Sequence, residues 1–189
     1  MHRLYAWMLS WADRPSGPTA LVALGVAESS VFPIPPDPLL MALCLGRPSR
    51  SFRFATMLSI ASVIGGIIGY GIGAFMWDNW GAWFMSHVPG LTQSGFDRVG
   101  NLYRTYDFWA VFAAGFSPIP YKLFTIAGGI FQINFAVFVL ASILSRSARF
   151  FLIAWLLRRY GAPIRLFIDQ HLGWLSLAFV ILLFGGFLL

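Results

Sequence analysis

Two proline motifs that interrupt long apolar segments constrain the fold of this chain more than any other feature. The first is Glu28-Ser-Ser-Val-Phe-Pro-Ile-Pro-Pro-Asp37, and the second is Phe116-Ser-Pro-Ile-Pro-Tyr-Lys122. When the two Pro-Ile-Pro sequences are aligned, Asp37 and Lys122 fall at the same position. Proline breaks helices, and ionisable groups are costly in apolar surroundings. An acid in one copy and a base in the other therefore indicate two halves of a fold that face one site.

The composition indicates an integral membrane protein with a single domain. Of the 189 residues, 58% are hydrophobic and only 11% are charged, whereas a soluble domain has about 25% charged residues. Lys122 is the only lysine, and the other basic residues, apart from the histidines, are arginines, most of which flank the apolar segments. This pattern favours orientation in a membrane and contact with anionic lipid headgroups over binding of nucleic acid.

Hydrophobic runs and helical periodicity divide the chain into segments of different kinds. Residues 1–14 have the pattern of an amphipathic helix at the membrane interface. The remaining segments are, in order, a broken apolar segment at 19–45, a membrane span at 55–77, a surface helix at 94–106, a second broken segment at 108–132, a second span at 134–157 and a C-terminal membrane helix at 172–189. Together they predict an all-α integral membrane protein whose central unit covers residues 19–161.

The two broken segments are predicted to be re-entrant hairpins, which enter and leave the membrane on the same side. Their turns would be formed by Pro33, Pro35 and Pro36 in the first and by Pro118 and Pro120 in the second. A proline-kinked single span is the alternative for each segment. With re-entrant hairpins, each hairpin and the span after it form one repeat, and the two repeats are inverted, as in secondary transporters.

The distribution of arginines favours the re-entrant arrangement. With two hairpins, the arginines outside the membrane divide eight against two between its sides, compared with seven against three if both broken segments cross fully. The side with more arginines is normally cytoplasmic. The sequence therefore predicts a multi-pass membrane protein with a cytoplasmic N-terminus.

Five ionisable residues lie inside the apolar segments: Glu28, Asp37, Lys122, Arg146 and Arg149. Arg146 and Arg149 are three residues apart and share a helix face, and guanidinium groups match the geometry of phosphate. We therefore predict that Lys122, Arg146 and Arg149 bind an anion, with Ser117 as a further hydrogen-bonding group. The acids Glu28 and Asp37 would neutralise the cations without ligand and, as buried carboxylates, take up and release protons.

The alternative is that these residues form internal ion pairs that stabilise the fold without binding a ligand. Ser142 and Ser145 either add hydrogen bonds to a site or bond to their own helix backbone. The sequence shows no histidine pattern typical of a metal site, no phosphate-binding glycine loop and no nucleophile paired with a base. No cofactor, metal or enzymatic activity is therefore expected.

Four stretches of the sequence carry a resemblance to a known family. They are Phe32-Pro-Ile-Pro-Pro-Asp37, the Gly65-Gly-x-x-Gly-Tyr-Gly-x-Gly73 helix, Phe116-Ser-Pro-Ile-Pro-Tyr-Lys-Leu-Phe-Thr-Ile-Ala-Gly-Gly129 and Ser145-Arg-x-x-Arg-Phe-Phe151. From about residue 20 to 161 the chain resembles the DedA superfamily, the VTT or "SNARE-associated" membrane domain, and most of all its YqaA-like branch. The resemblance implies opposed re-entrant hairpins, a bacterial inner-membrane location and lipid transport, often coupled to protons.

The resemblance also implies which residues are functional. The family's acidic pair corresponds here to Glu28 and Asp37, and its arginines in the second half correspond to Arg146 and Arg149. The family has Pro-Gly-Glu where this chain has Pro-Pro-Asp37, and Lys122 replaces an arginine after the second motif. A further family arginine, just before that motif, is absent from this chain, so the substrate can differ from that of other members.

Residues and resemblance together predict a flippase- or scramblase-like transporter for an anionic, phosphate-bearing lipid such as undecaprenyl phosphate or a phospholipid. Proton coupling and assembly as a homo-oligomer are compatible with the sequence. Two alternatives stay open: a transporter or channel for a small ion or solute, and a membrane-organising protein that transports nothing.

Overall fold

The chain is all-helical over the residues that its computed structural model describes, which are 16–30, 35–87, 92–117 and 120–161. This confirms the predicted α class for those residues. The helices are α1 (Gly17–Ser30), α2 (Asp37–Gly46), α3 (Ser51–His87), α4 (Gln93–Thr105), α5 (Asp107–Phe116), α6 (Tyr121–Ile130) and α7 (Phe135–Tyr160), with a 3₁₀ turn at Pro48–Arg50 before α3. The helices predicted at 1–14 and 172–189, and the turn residues Pro33 and Pro118, lie outside the described residues.

Helix length separates two kinds of element. Within the described ranges, two helical stretches are long and apolar enough to cross a membrane, at Pro48–Trp83 and at Phe135–Tyr160. At ~1.5 Å per residue, the 26 residues of α7 reach ~39 Å, whereas a bilayer's hydrocarbon core is ~30 Å thick. The 14 residues of α1 reach only ~21 Å, and the 10 residues of α2, α5 and α6 reach ~15 Å each. Each broken segment is therefore a pair of helices too short to span alone.

The prolines decide where the second helix of each pair begins. Pro36 is the N-cap of α2, with Pro38 in its first turn, and Pro120 is the N-cap of α6. Proline is tolerated there because the first N–H groups of a helix have no partner within it. In the aligned motifs Pro35 corresponds to Pro120, so α2 and α6 begin within one residue of equivalent positions.

The first helix pair, α1 and α2, lies beside the N-terminal half of α3. Helix α1 runs in the same direction as α3, since Gly25 faces Leu58 and Ser29 bonds to Ser62 further along. Helix α2 returns, because Cys44 near its end lies beside Ser51, the first residue of α3. The end of α1 therefore lies near the middle of α3, while the start of α1 and the end of α2 lie near the start of α3.

The second helix pair, α5 and α6, approaches the same middle region from the other end. Helix α6 runs along α3, where Tyr121 lies beside Gly66 and Ile126 beside Gly73. Helix α5 packs on α7. The start of α6 therefore lies near the middle of α3, while its end lies near the C-terminal half of α3.

The two long helices are antiparallel and join the two pairs. Aromatic contacts fix their relative positions, with ring centroids 6.0 Å apart for Phe52 and Phe151 and 5.2 Å apart for Tyr70 and Phe138. Helix α7 also contacts α2 and α5. Two hydrophobic clusters result. One lies around α2 and the C-terminal half of α7, and the other lies around α5 and the N-terminal half of α7.

Helix α3 continues beyond the predicted span at 55–77 and ends at His87. The polar residues after Trp77 do not interrupt it, because some of them bond to their own helix. The Asn79 amide donates to the Phe75 carbonyl at 2.8 Å, and the Ser86 hydroxyl donates to the Trp83 carbonyl at 2.9 Å. The next proline in the sequence is Pro89. The predicted surface helix at 94–106 corresponds to α4, which Thr92 caps by accepting from the Gly95 N–H.

The glycine strip of α3 is the surface on which both helix pairs pack. A Cβ at Gly65 would collide with the Val26 carbonyl of α1, and a Cβ at Gly73 would collide with the Ile126 carbonyl of α6. Gly129 of α6 approaches the Tyr70 carbonyl of α3 in the same way. Backbone atoms therefore touch directly, as in close helix packing within membranes.

We expect Gly73→Ala to lower the thermal stability of the protein. The added methyl group would occupy the position of a backbone carbonyl in α6, and such overpacking costs about 1–3 kcal/mol. Gly71→Ala is the matched control, because Gly71 is exposed on the same helix and an added Cβ meets nothing within 4 Å. The two variants are compared with the native protein by thermal unfolding in one detergent. Equal melting temperatures for the two variants would contradict the close packing of α3 on α6.

Candidate functional site

The candidate site is built around Arg146 and Arg149 on the inward face of α7. Only 3% and 7% of their surfaces are exposed, and the two residues share a helix face, as their spacing predicts. They lie between the two hydrophobic clusters, beside the breaks of both helix pairs. Buried charges of this kind require partners, because the cost of removing them from water is several kcal/mol per ion.

Arg146 is neutralised by Glu28 at the end of α1. Its Nη2 lies 2.8 Å from Glu28 Oε2, and its Nε donates to Ser62 Oγ of α3 at 2.6 Å. Ser29 extends this network, since its hydroxyl lies 3.0 Å from the same carboxylate oxygen and 2.7 Å from the Ser62 hydroxyl. Arg146 thus joins α1, α3 and α7 through one guanidinium group.

Aromatic rings cover the guanidinium of Arg146. Its Cζ lies 4.9 Å from the centroid of the Tyr121 ring and 4.6 Å from that of Phe150. The Tyr121 hydroxyl donates to Ser142, which in turn donates to the Phe138 carbonyl. Cation–π contacts of this geometry stabilise a desolvated arginine, so the rings add to the stabilisation that Glu28 provides.

Arg149 contacts the breaks of both helix pairs. Its Nη2 lies 2.7 Å from Asp37 Oδ2, at the start of α2. Its Nη1 donates to the backbone carbonyls of Ser117 and Phe116, at 2.5 and 3.4 Å. These carbonyls lie at the end of α5, where helical carbonyls have no partner within the helix. A single guanidinium therefore connects the first pair to the second.

Two polar atoms at this point have no hydrogen-bond partner among the residues that the structure describes. They are Asp37 Oδ1 and Arg149 Nε, and both are buried. An unsatisfied buried donor or acceptor costs about 1–3 kcal/mol, and such groups in native structures mark positions that water, an ion or a ligand can occupy. The site thus presents one acceptor and one donor within a single ion pair.

The structure brings together four of the predicted site residues as two ion pairs, Arg146 with Glu28 and Arg149 with Asp37. Ser117 joins them through its backbone carbonyl, while its hydroxyl donates to the Ala114 carbonyl at 3.4 Å. Lys122, the remaining predicted cation, lies half-buried in the first turn of α6 and stays a predicted member of the site.

The predicted turn prolines that the structure describes lie at the breaks beside these ion pairs. Pro36 is buried there, and Pro35 and Pro120 are exposed. Ser142 and Ser145 bond to their own helix, to the carbonyls of Phe138 and Ser142. Within the described ranges, no group of three or more histidine, cysteine or acidic side chains is suited to a metal ion.

Sequence reasoning missed Ser29, Ser62, Tyr121 and Phe150 as members of the site. Ser29 follows Glu28 directly, and this adjacency is a signal that could have identified it. Ser62 carries no such signal, because a serine in a membrane span commonly bonds to its own helix backbone. The two aromatic residues are ordinary core residues by composition, and only the fold places them against Arg146.

The ion pair of Arg149 can be tested by removing its members singly and together. Asp37→Asn or Arg149→Gln leaves one buried charge without its partner, which we expect to lower the free energy of unfolding by about 3–5 kcal/mol. The double variant should recover part of this loss, and only part, because a glutamine at position 149 would lose the bonds to the break of the second pair. Thermal unfolding in one detergent measures all three variants.

The matched control combines Arg149→Gln with loss of the carboxylate of the other ion pair. Glu28→Gln combined with Arg149→Gln removes one member of each ion pair, so the stability should recover less, relative to the summed losses, than in the double variant of one pair. For each double variant, the loss of unfolding free energy is compared with the sum of the losses of its two single variants. If this difference is the same for both double variants, Asp37 and Arg149 are not energetically coupled.

Two bacterial proteins are similar to this chain over nearly its whole length. A protein of Haemophilus influenzae described as an uncharacterized protein is 36% identical over 182 residues, covering 90% of this chain and 89% of that protein. A protein of Histophilus somni, described as the homologue of an uncharacterized protein, is 33% identical over 176 residues, covering 90% of each. No family model matches the chain, and no solved structure matches it significantly. This chain belongs to the same family as these two proteins.

Proposed function

We propose that this protein is a membrane transporter, flippase- or scramblase-like, for a lipid with an anionic phosphate headgroup. The observation that carries the proposal is the burial of Arg146 and Arg149 at the point where the breaks of both helix pairs meet. Broken helices that meet near the midplane are typical of transporter sites. Intramembrane ionisable residues usually mark a substrate or ion pathway.

The outer faces of the two long helices support a membrane location. Large apolar side chains are exposed along both of them, at Ile60, Ile64, Ile67, Ile68 and Phe75 on α3 and at Leu140, Ile143, Leu144, Phe151, Leu152 and Trp155 on α7. Soluble monomers rarely expose continuous apolar patches of this extent. Lipid chains would cover these faces, and the two arginines lie within the apolar run of α7, on its opposite side.

The packing of the helices supports an inverted repeat of two re-entrant hairpins. The first helix of each pair packs on the long helix of its own half, α1 on α3 and α5 on α7. The second helix of each pair contacts the long helix of the other half, α2 on α7 and α6 on α3, and α2 contacts α3 as well. Such an exchange is expected for two units related by a two-fold axis. In a membrane, the pairs would enter from opposite sides.

The ion pairs support an anionic, phosphate-bearing ligand. Glu28 and Asp37 hold their arginines with single carboxylate oxygens, and a phosphate group can replace a carboxylate at a guanidinium. The unpartnered Arg149 Nε would donate to a phosphate oxygen, and the unpartnered Asp37 Oδ1 would accept from a phosphate hydroxyl. Protonation of a carboxylate would release its arginine for the ligand, which would couple transport to protons.

Orientation follows from charge. Arg47, Arg50 and Arg53 lie at one end of the two long helices together with Arg158 and Arg159. The positive-inside rule assigns this end to the cytoplasm. The proposed protein is thus a multi-pass protein of the bacterial inner membrane, with the N-terminus of α1 also on the cytoplasmic side.

Transport is tested with the purified protein in vesicles that contain a fluorescent phosphate-bearing lipid. We expect Arg146→Lys and Arg149→Lys to reduce lipid movement about tenfold or more, because an ammonium group cannot make the contacts of the guanidinium fork. Arg158→Lys is the control, since Arg158 is exposed on the same helix. Ion flux without lipid movement would favour a channel or ion transporter instead, and neither activity would favour a membrane-organising role.

Re-entry of the first helix pair is tested by labelling from the two sides of the membrane. Ser16→Cys and Ser49→Cys, in a Cys44→Ala background, lie just before α1 and after α2. Both cysteines should react with an impermeant reagent from the cytoplasmic side. Labelling from opposite sides would mean that the first pair crosses the membrane, and the inverted repeat would be lost.

A further inference from the structure

We propose that the arginine-rich end of the molecule binds anionic phospholipid from the surrounding bilayer, separately from the central site. This inference rests on the membrane location proposed above and not on transport. The surface consists of Arg47, Arg50 and Arg53 around the start of α3 and of Arg158 and Arg159 at the end of α7. All five side chains are exposed.

The five arginines lie at one end because α3 and α7 are antiparallel. The guanidinium of Arg158 lies over the ring of Phe52, 5.0 Å from its centroid, and Phe52 is stacked near Phe151. The 3₁₀ turn at Pro48–Arg50 also contacts α7. The contact with Phe52 holds Arg158 at the boundary between the two long helices, where its side chain is exposed.

No carboxylate offsets this charge within the described residues. The described parts of α1, α2 and the start of α3 contain only Glu28 and Asp37, which belong to the central ion pairs. The opposite end is different, because Arg98 and Arg104 there are accompanied by three aspartates, Asp78, Asp97 and Asp107. Exposed positive charge that no nearby carboxylate offsets is attracted to an anionic membrane leaflet.

The surroundings of Arg158 favour a lipid over a soluble anion. Phe151 and Trp155 precede Arg158 on the same face of α7, and their side chains are 37% and 49% exposed. An acyl chain that packs against these two aromatic residues would bring its phosphate to the level of Arg158. Inorganic phosphate or a nucleic acid would use the charge but leave the adjacent apolar surface uncovered.

The test measures which lipids the purified full-length protein retains. The protein is equilibrated with equal amounts of phosphatidylglycerol and phosphatidylcholine, and bound lipids are counted by native mass spectrometry. We expect the native protein to retain more phosphatidylglycerol than phosphatidylcholine. In Arg158→Gln/Arg159→Gln this excess should fall at least about fivefold, because each basic residue near an anionic surface raises the affinity for that surface by about that factor. Arg158→Lys/Arg159→Lys should retain the excess, since charge is preserved.

Two further variants separate this surface from a general loss of structure. Arg47→Gln/Arg50→Gln removes charge from the connection between α2 and α3 without altering α7, and it should also reduce the excess. Arg98→Gln/Arg104→Gln, at the opposite end, should leave it unchanged. An equal reduction in all neutralised variants, or none in any, would overturn the proposal, and so would complete displacement of the lipid by inorganic phosphate.

Arg146→Lys tests whether the retained phosphatidylglycerol is bound at the central site instead of the arginine-rich end. This variant should keep the phosphatidylglycerol excess even where it abolishes lipid movement in vesicles. Loss of transport with retained lipid therefore concerns the central site, and loss of the excess with intact transport concerns the arginine-rich end. If Arg146→Lys alone removed the excess, the retained lipid would occupy the central site and the proposal would fail.

Discussion

The burial of two guanidinium groups on α7 is the constraint on which the remaining structure depends. Arg146 and Arg149 cannot be removed from water without counter-charges and hydrogen-bond acceptors, and these come from every other part of the central unit. Glu28 and Asp37 come from the first helix pair, Ser62 from α3, and the backbone carbonyls at the end of α5 from the second pair. The helix breaks are what make those carbonyls and the short acidic side chains available at this depth.

The glycines of α3 allow both helix pairs to lie close to that helix, which is the second condition for the pairing of the buried charges. Arg149 can reach both breaks only because the two helix pairs pack closely against one long helix. Backbone contact at Gly65 brings α1 to α3, and backbone contact at Gly73 and Gly129 brings α6 to α3. A hydrogen bond from the Thr125 hydroxyl to the Ser29 carbonyl, at 3.3 Å, then links the two pairs directly. Close packing and charge pairing are thus parts of one arrangement.

The sequence predicts the broken helices, the shared face of Arg146 and Arg149 and the presence of acids near them, because periodicity and charge cost are local properties. It does not predict that the second helices begin at different points of the aligned motifs. Asp37 is the first residue of α2, whereas Lys122 is the second residue of α6, and one residue turns a helical side chain by about 100°. Tyr121 has the first position in α6, and its ring lies against the guanidinium of Arg146.

The unequal length of the two long helices has a consequence for the symmetry of the molecule. Helices α3 and α7 are aligned at the arginine-rich end, and α7 begins beside Tyr70, with ring centroids of Tyr70 and Phe135 5.3 Å apart. Residues 71–87 of α3 therefore extend about 25 Å past that point. Among the described residues, only this end carries such an extension, to which α4 attaches through the stacking of Phe96 on Trp77. In the proposed orientation, a substrate would meet different entrances from the two leaflets, so the energy barriers for inward and outward entry would differ.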